Sequence, residues 1–465
     1  MNRADRRRLE KMQKQSGSAV NSPATQALFN RAVAAQNTGN LHEAESLCDA
    51  ILRQEPSNAD ALCLMALLFR QRGLSDRSIE LLERAVKAAP KRVSLTYELG
   101  NAYKLAGDND KAIRCYERVL KDKPRVESAH NNLGLAYQEQ GRLQEAVTCY
   151  RNALNIRPDF AEAHNNLGTT LLELGRNSEA LAALRRASEA KPGYADAYYN
   201  MHPLLISAGD IPGAVAALEQ AVSANPHHYP ARFHLGIWLD YQGLGKSAQA
   251  HFNFVGQHAP QHRHDLDSWA YVKSRLATGT HLLANHFDSL RTAMNQALIP
   301  GAVLEFGVRY GLSLNFLATL TEQTIHGFDS FEGLPEAWIG MQAGAYTTHG
   351  HLPEVASNVV LHVGWFSDTL PPFVAQHHDA IRFANIDCDI YSSTRTVLEH
   401  LEQRLVPGTV LVFDEYICNP NWRNDEYKAF QELVRRSGIH YRYLLFSPYS
   451  RQAVVLIEQG VAAPV

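Results

Sequence analysis

Prolines recur at Pro56, Pro90, Pro124, Pro158, Pro192, Pro226 and Pro260, each 34 residues after the one before. A fixed period of that length marks a repeat architecture, in which one unit cannot bury its own apolar face and must stack on its neighbour. A proline at constant phase ends a helix, because it lacks the N–H and clashes with the preceding turn. Other positions keep the same phase. Ala44, Ser78, Ala112, Ala146, Ala180, Ala214 and Ala248 form a column of small residues, and Gly100, Gly134, Gly168 and Gly236 form another. Two helices that cross closely need small side chains at the contact. The turns fall at Gly107-Asp108, Gly141-Arg142, Gly175-Arg176 and Gly209-Asp210.

Seven such helical hairpins, over about 25–262, resemble the tetratricopeptide repeat family. The resemblance implies a right-handed superhelix whose concave face binds an extended peptide or a partner protein. AHNNLG occurs at 129–134 and again at 163–168, so that Asn132, Asn166 and Asn200 share one phase, with Asn131 and Asn165 just before. Amides donate and accept, which suits sequence-tolerant binding of a peptide backbone. This pattern is similar to the asparagine ladder of the protein O-GlcNAc transferases. The alternative is that the amides bridge neighbouring helices.

Bulk properties exclude several classes. The chain has 465 residues, enough for two or three domains, with 45% hydrophobic and 20% charged residues. A formal net charge of −3 gives no electrostatic case for nucleic acid. No run approaches the roughly 18 apolar residues of a membrane span. The first 24 residues are basic without an apolar core, which reads as a flexible arm rather than a secretory signal. Six scattered cysteines lack any CxxC pair, arguing against zinc and for a reducing, cytoplasmic setting. Cys115 and Cys149 sit at one repeat position, as packing residues would.

After Pro260 the period fails. Residues 263–299 read as a helical bridge, with apolar positions through 266–297. From 300 onward short β-rich runs follow at 302–307, 324–329, 359–363, 381–387, 409–414, 441–446 and 453–457, with helical stretches expected between the first five. Strand–helix alternation predicts a parallel α/β sheet with ligands at the carboxyl ends of its strands. The last two runs lack an intervening helix and predict an antiparallel hairpin. The whole chain therefore reads as α plus α/β: an all-α array followed by a doubly wound, seven-stranded domain.

The first run leads into VLEFGVRYGLS, where Gly307 and Gly311 bracket a turn that lets backbone approach a ligand. The spacing is ExGxxxG, without the early glycine that a dinucleotide fingerprint needs. Glu305 is placed to receive the cationic amino group of a methionine tail, and Ser313 follows the turn. The second run ends in GFDSFEGLP, where Asp329 is placed for ribose hydroxyls, with Ser330 beside it and Glu332 less well placed. The third leads into GWFSDTLP, where Trp365 and Phe366 could wall an adenine and Ser367 or Asp368 bond its edge. The fourth ends in NIDCDIYSST and the fifth in VFDEY. Adjacent strands would bring Asp387, Asp414 and Glu415 to one cleft, with Asp389 nearby. Clustered carboxylates repel unless protonated or neutralised by a cation, and an all-oxygen set suits Mg²⁺.

These five motifs, in this order, resemble the macrocin O-methyltransferases, which methylate a sugar hydroxyl. The resemblance covers about 268–457 and implies a class I fold that uses S-adenosylmethionine. The first motif is also similar to catechol O-methyltransferase. That likeness implies Asp387 and Asp414 as Mg²⁺ ligands, with Glu415 in place of an amide. The lysine base of that enzyme has no counterpart, since its place is taken by Ile390. Asp389, His349 or His351, or the metal alone, stand as alternatives, with Asp387 and Asp389 the catalytic candidates. Trp422, in the loop 417–426, suits either a sugar face or a lid anchor. The expected function is Mg²⁺-assisted O-methylation of a sugar, glycan or natural-product hydroxyl, the repeats recruiting a protein partner or acceptor. The alternative is a repeat scaffold with an idle methyltransferase-like domain.

Overall fold

The computed structural model describes residues 22–276 and 279–459. The basic arm lies outside the described residues, except for its last three positions, of which Ser22 caps the first helix and Pro23 and Ala24 open it. Contacts divide the chain into two compact units, 1–170 and 171–465.

Fourteen helices, α1 (Pro23–Asn37) through α14 (Gly245–His258), follow one another along the chain in seven consecutive pairs. Their first helices include α5 (Val93–Leu105), α7 (Glu127–Glu139), α11 (Ala195–Ser207) and α13 (Tyr229–Tyr241). The turns have a simple cause. Gly39, Gly73, Gly107, Gly141, Gly175, Gly209 and Gly243 all hold φ between 68° and 83°, a left-handed conformation that costs glycine little. Asn40, Asn58, Asp108 and Asp210 then cap the next helix by accepting a backbone N–H three residues on. The small-residue columns mark close crossings. A Cβ at Gly100 or Gly134 would come within 2.9 or 2.7 Å of the ring of Tyr116 or Tyr150, and one at Gly236 would overlap the ring of Phe252.

The stretch expected to be helical through 266–297 is instead α15 (Arg263–Arg275), a two-residue strand β1 (His281–Leu282) and α16 (His286–Gln296). Strand β1 pairs in parallel with β7 (His440–Ser447) and joins the sheet edge, so the sheet has eight strands rather than seven. The remaining strands are β2 (Ala302–Phe306), β3 (Ile325–Asp329), β4 (Val359–Val363), β5 (Ile381–Ile386), β6 (Val410–Phe413) and β8 (Gln452–Gln459). Their order is β1-β7-β8-β6-β5-β2-β3-β4. Strand β8 runs antiparallel to both β6 and β7, as the terminal hairpin requires, and every other pairing is parallel.

Val410, Leu411, Val412 and Phe413 are all fully buried, as expected of a strand covered on both faces. Helix α16 places Phe287, Leu290 and Met294 on one stripe, packed in a core with Val303, Phe383, Val412 and Leu445. The crossover helices are α17 (Leu312–Ala318), α18 (Phe366–Gln376), α19 (Tyr391–Leu401) and α20 (Glu426–Ser437). One expected helix is absent: 330–358, between β3 and β4, is turns and loop. Its glycines Gly333, Gly340, Gly344 and Gly350 all hold positive φ, which no helix accommodates.

Candidate active site

The carboxyl ends of β2, β3, β4, β5 and β6 open on one cavity of roughly 530 Å³. Its lining takes in Gly307, Asp329, Ser330, Trp365, Phe366, Ser367, Asp387, Asp389, Asp414 and Glu415 from the motifs. Sequence-distant residues are thereby brought to one cleft, at the point where β2 and β5 lie side by side and the chain leaves in opposite directions.

Gly307, just past the end of β2, lies tight against the backbone just past the end of β5. Its φ is 90°, and a Cβ there would run into the carbonyl oxygen of Asp387. The turn that follows is held by Asp329. One of its oxygens accepts from the amides of Val308 (2.8 Å) and Arg309 (2.7 Å), and the other from Phe331 (2.7 Å). Three of the carboxylate's acceptor positions are therefore engaged, leaving about one for a ribose hydroxyl. Arg309 holds φ 49°, and its guanidinium lies over the rings of Tyr310 and Tyr346.

Glu305, Gly311, Ser313 and Asp368 do not line the cavity. Glu305 is fully buried beneath it, accepting from Ser313 Oγ (2.7 Å) and Asn385 Nδ2 (3.4 Å). Burial pushes its carboxyl up to about 7. His349 and His351 are also absent from the lining, and Asp389 lines it at φ 60°, a strained conformation for a residue with a Cβ. Trp422 is buried against Tyr271 and Tyr427, which is the anchoring alternative and not a free sugar platform.

The acids perturb one another. Burial, then the Asp414 charge, raises Asp387 well above the carboxylate range and Asp389 to about 7. Burial raises Glu415 to about 8 although Arg451 opposes it. Arg451 lies 3.1 and 3.3 Å from the two oxygens of Glu415. Asp414 Oδ1 accepts from Gln452 Nε2 (2.7 Å) and faces His286 Nδ1 (3.1 Å). The loops after β5 and β6 are joined from below by buried Glu426, which accepts from the amides of Cys388 (3.2 Å) and Glu415 (3.1 Å). Oxygen donors, mutual repulsion and a shared cavity fit a hard divalent cation held by Asp387 and Asp414. Glu415 would first have to leave Arg451. The acids are not drawn tightly together: among the described residues, the only trio of such side chains with donor atoms within 4.8 Å of one another is His262, His264 and Asp265 near the start of α15.

Motif reading missed Arg309, Tyr346, Ser392, Ser393 and Thr396 in the lining, and His286, Glu426, Arg451 and Gln452 behind it. Ser392 and Ser393 stand within NIDCDIYSST and were within reach of it. Arg309 likewise stands within VLEFGVRYGLS, and the others are single polar residues whose place depends on packing.

In the repeats, the asparagines bond across repeats. Asn166 Nδ2 donates to Asn131 Oδ1 (3.1 Å), Asn131 to Asn132 (3.4 Å), and Asn132 to Tyr97 Oη (3.0 Å) and Asn101 Oδ1 (2.9 Å). Asn131 and Asn165 are buried. Beside Asn132 a cavity of about 650 Å³ is lined by Arg70, Asn101, Lys104, Asn109 and Glu139.

A methyltransferase domain family matches residues 304–416. Tetratricopeptide repeat families match 29–93, 100–141, 139–175, 161–194 and 203–250. A curated relative is the 8-demethyl-8-(2,3-dimethoxy-alpha-L-rhamnosyl)-tetracenomycin-C 4'-O-methyltransferase of Streptomyces olivaceus, 34% identical over 159 residues. The match takes in 28% of this chain and spans 59% of that relative's length. Among solved structures, the protein MamA is 30% identical over 33% of this chain and 91% of its own, with a TM-score of 0.31. A tetratricopeptide repeat protein from Parabacteroides merdae is 18% identical over 50% of this chain and 93% of its own, with a TM-score of 0.43. No helix of the described residues is long and apolar enough to cross a membrane. This chain is a run of tetratricopeptide repeats carrying a C-terminal methyltransferase domain.

Proposed function

We propose that the protein is an S-adenosylmethionine-dependent O-methyltransferase, assisted by Mg²⁺, acting on a hydroxyl of a sugar, glycan or natural product. The observation that carries this reading is one cavity at the strand ends whose lining includes Trp365 and Phe366 together with Asp387, Asp389 and Asp414. A relative that methylates a rhamnosyl 4'-oxygen supports the acceptor class.

Gly307, Asp329, Ser330, Trp365 and Phe366 would seat the cofactor, with Gly311 shaping the turn and Asp368 at its periphery. Glu305 and Ser313 hold the floor from beneath. S-adenosylmethionine, when bound, supplies a methyl group on a sulfonium, and Mg²⁺, when bound, lowers the pKa of a hydroxyl beside it. Asp387 and Asp414 would hold the metal, with Glu415 joining if Arg451 releases it. Asp389, raised to about 7 by burial, would take the acceptor's proton. The repeats would recruit a peptide or a glycosylated protein, through Asn131, Asn132, Asn165 and Asn166 in the first unit and Asn200 in the second. All six cysteines are free, which suits a reducing compartment, and we place the protein in the cytoplasm.

Calorimetry of the intact protein with S-adenosylmethionine and S-adenosylhomocysteine, with Mg²⁺ and with chelator, tests the reading. Binding in the micromolar range is expected, and Asp329→Ala should weaken it by roughly tenfold or more through loss of the turn's three amide bonds. No binding by the folded protein would leave the scaffold alternative in its place.

A further inference from the structure

The last two repeats depart from the array's own pattern. Where Gly100, Gly134, Gly168 and Gly236 hold one column, the sixth repeat carries His202. Where Asn132, Asn166 and Asn200 hold another, the seventh carries His234. His202 is fully buried and His234 is 7% exposed. Each Nδ1 faces a carbonyl of its own helix, Tyr199 O at 2.5 Å and Pro230 O at 2.9 Å. Each Nε2 is buried and outside the geometry of a full hydrogen bond. Two desolvated imidazoles on α11 and α13 are unusual, since buried ring nitrogens ordinarily have a hydrogen-bond partner.

The methyltransferase domain supplies what packs there. The turn between β7 and β8 inserts Tyr449 among them. Its ring lies 5.1 Å from His202 and 5.8 Å from His234, both edge-on, and 5.9 Å from Tyr199. Edge-to-face contacts at these separations are favourable. The Pro448 backbone, one residue earlier in the same turn, interacts with His234. The turn reaches the cleft two and three residues after Tyr449. Arg451, at φ 60°, pairs with Glu415, and its carbonyl accepts the amide of Ile417 (3.1 Å). Gln452, fully buried, donates to Asp414. Ser450 Oγ bonds Ser447 Oγ (2.6 Å) and Gln452 Oε1 (3.0 Å), which stiffens the turn between its two ends.

We propose that the sixth and seventh repeats form a seat for the domain's own β7–β8 turn, and that Arg451 and Gln452, held by Tyr449 in that seat, are positioning residues for Glu415 and Asp414. This rests on the reading of those acids as working carboxylates of the cleft. The seat gives His202 and His234 a reason to replace the usual glycine and asparagine. It makes the end of the array a part of the catalytic apparatus.

The test uses the full chain and Mn²⁺ alone as probe, followed by calorimetry, with hydrogen exchange measured over 410–419. Tyr449→Ala should weaken Mn²⁺ binding by roughly tenfold or more, the scale seen when groups behind metal ligands are removed. It should also speed exchange over 410–419 while leaving S-adenosylmethionine affinity unchanged. Tyr449→Phe keeps the ring and should behave as wild type. Should Tyr449→Ala fail to fold, His202→Gly restores the repeat's usual residue and should move both readouts in the same direction. Wild-type Mn²⁺ affinity and exchange in these variants would overturn the proposal. If the wild-type protein binds no Mn²⁺, the metal reading falls, and exchange alone then decides: faster in Tyr449→Ala but not Tyr449→Phe supports the seat, and unchanged overturns it.

Discussion

Gly307→Ala is expected to abolish S-adenosylmethionine binding and to lower stability by about 3 kcal/mol, a fall of roughly 6–12 °C in the thermal midpoint. Two costs combine. The residue sits at φ 90°, where a Cβ is strained, and the added Cβ would run into the carbonyl oxygen of Asp387. Backbone cannot swing aside as a flexible side chain can. Relief requires β2 and β5 to separate at their carboxyl ends, which displaces both the turn under the cofactor and the first acid of the cleft. Gly340→Ala is the control. Its φ is 81°, but a Cβ there meets nothing within 4 Å, so it should lose only the conformational term, about 1 kcal/mol. Cofactor binding by Gly307→Ala at wild-type strength would mean that this strand crossing does not form the cofactor floor.

In chelator, stability should fall as pH rises from about 4 to about 8. The folded-state carboxyl of Asp389 is raised from 3.8 to about 7 and that of Glu415 from 4.5 to about 8. Between those values the folded protein holds protons that the unfolded chain has released, so each rise in pH favours unfolding. A tenfold difference in proton affinity between folded and unfolded chain is worth on the order of 1.4 kcal/mol, so the two groups can together remove a few kcal/mol across the window. A cation that neutralises the cluster reverses this. Mg²⁺ or Mn²⁺ should raise the thermal midpoint more at pH 8 than at pH 6, and Asp389→Asn should flatten the profile in chelator. Thermal scans from pH 4 to pH 8 decide the matter: a midpoint in chelator that does not move would remove carboxylate repulsion as an argument for a metal.

The repeat array was legible from the sequence because its constraints are local and recur. Each turn glycine needs positive φ, Gly100, Gly134 and Gly236 each answer a ring one helix away, and 34 residues later the same demand returns. Strand positions were legible for a similar reason, since buried parallel strands are short, continuous apolar runs between turn residues. The cleft was legible where an acid or a glycine ends a strand, as at Gly307, Asp329, Asp387 and Asp414, because strand ends in such a sheet open to one side. Local pattern misled where tertiary contacts prevailed. The apolar spacing across 266–297 is compatible with one helix, yet His281 and Leu282 gain ladder bonds with β7 that no local propensity encodes. Trp422 suited a sugar face or a lid anchor equally by sequence, and its burial against Tyr271 and Tyr427 favours the anchor.

What the sequence by itself determined is the succession of elements and the residue types at the strand ends, since both follow from backbone conformation and burial over a few residues. What only the tertiary structure decided is which groups stand behind the cleft. His286, Arg451 and Gln452 come from 128, 36 and 38 residues away in the chain from the acids they touch. Such contacts leave no periodic trace, because a single long-range hydrogen bond or ion pair constrains one side chain at each end and nothing between them.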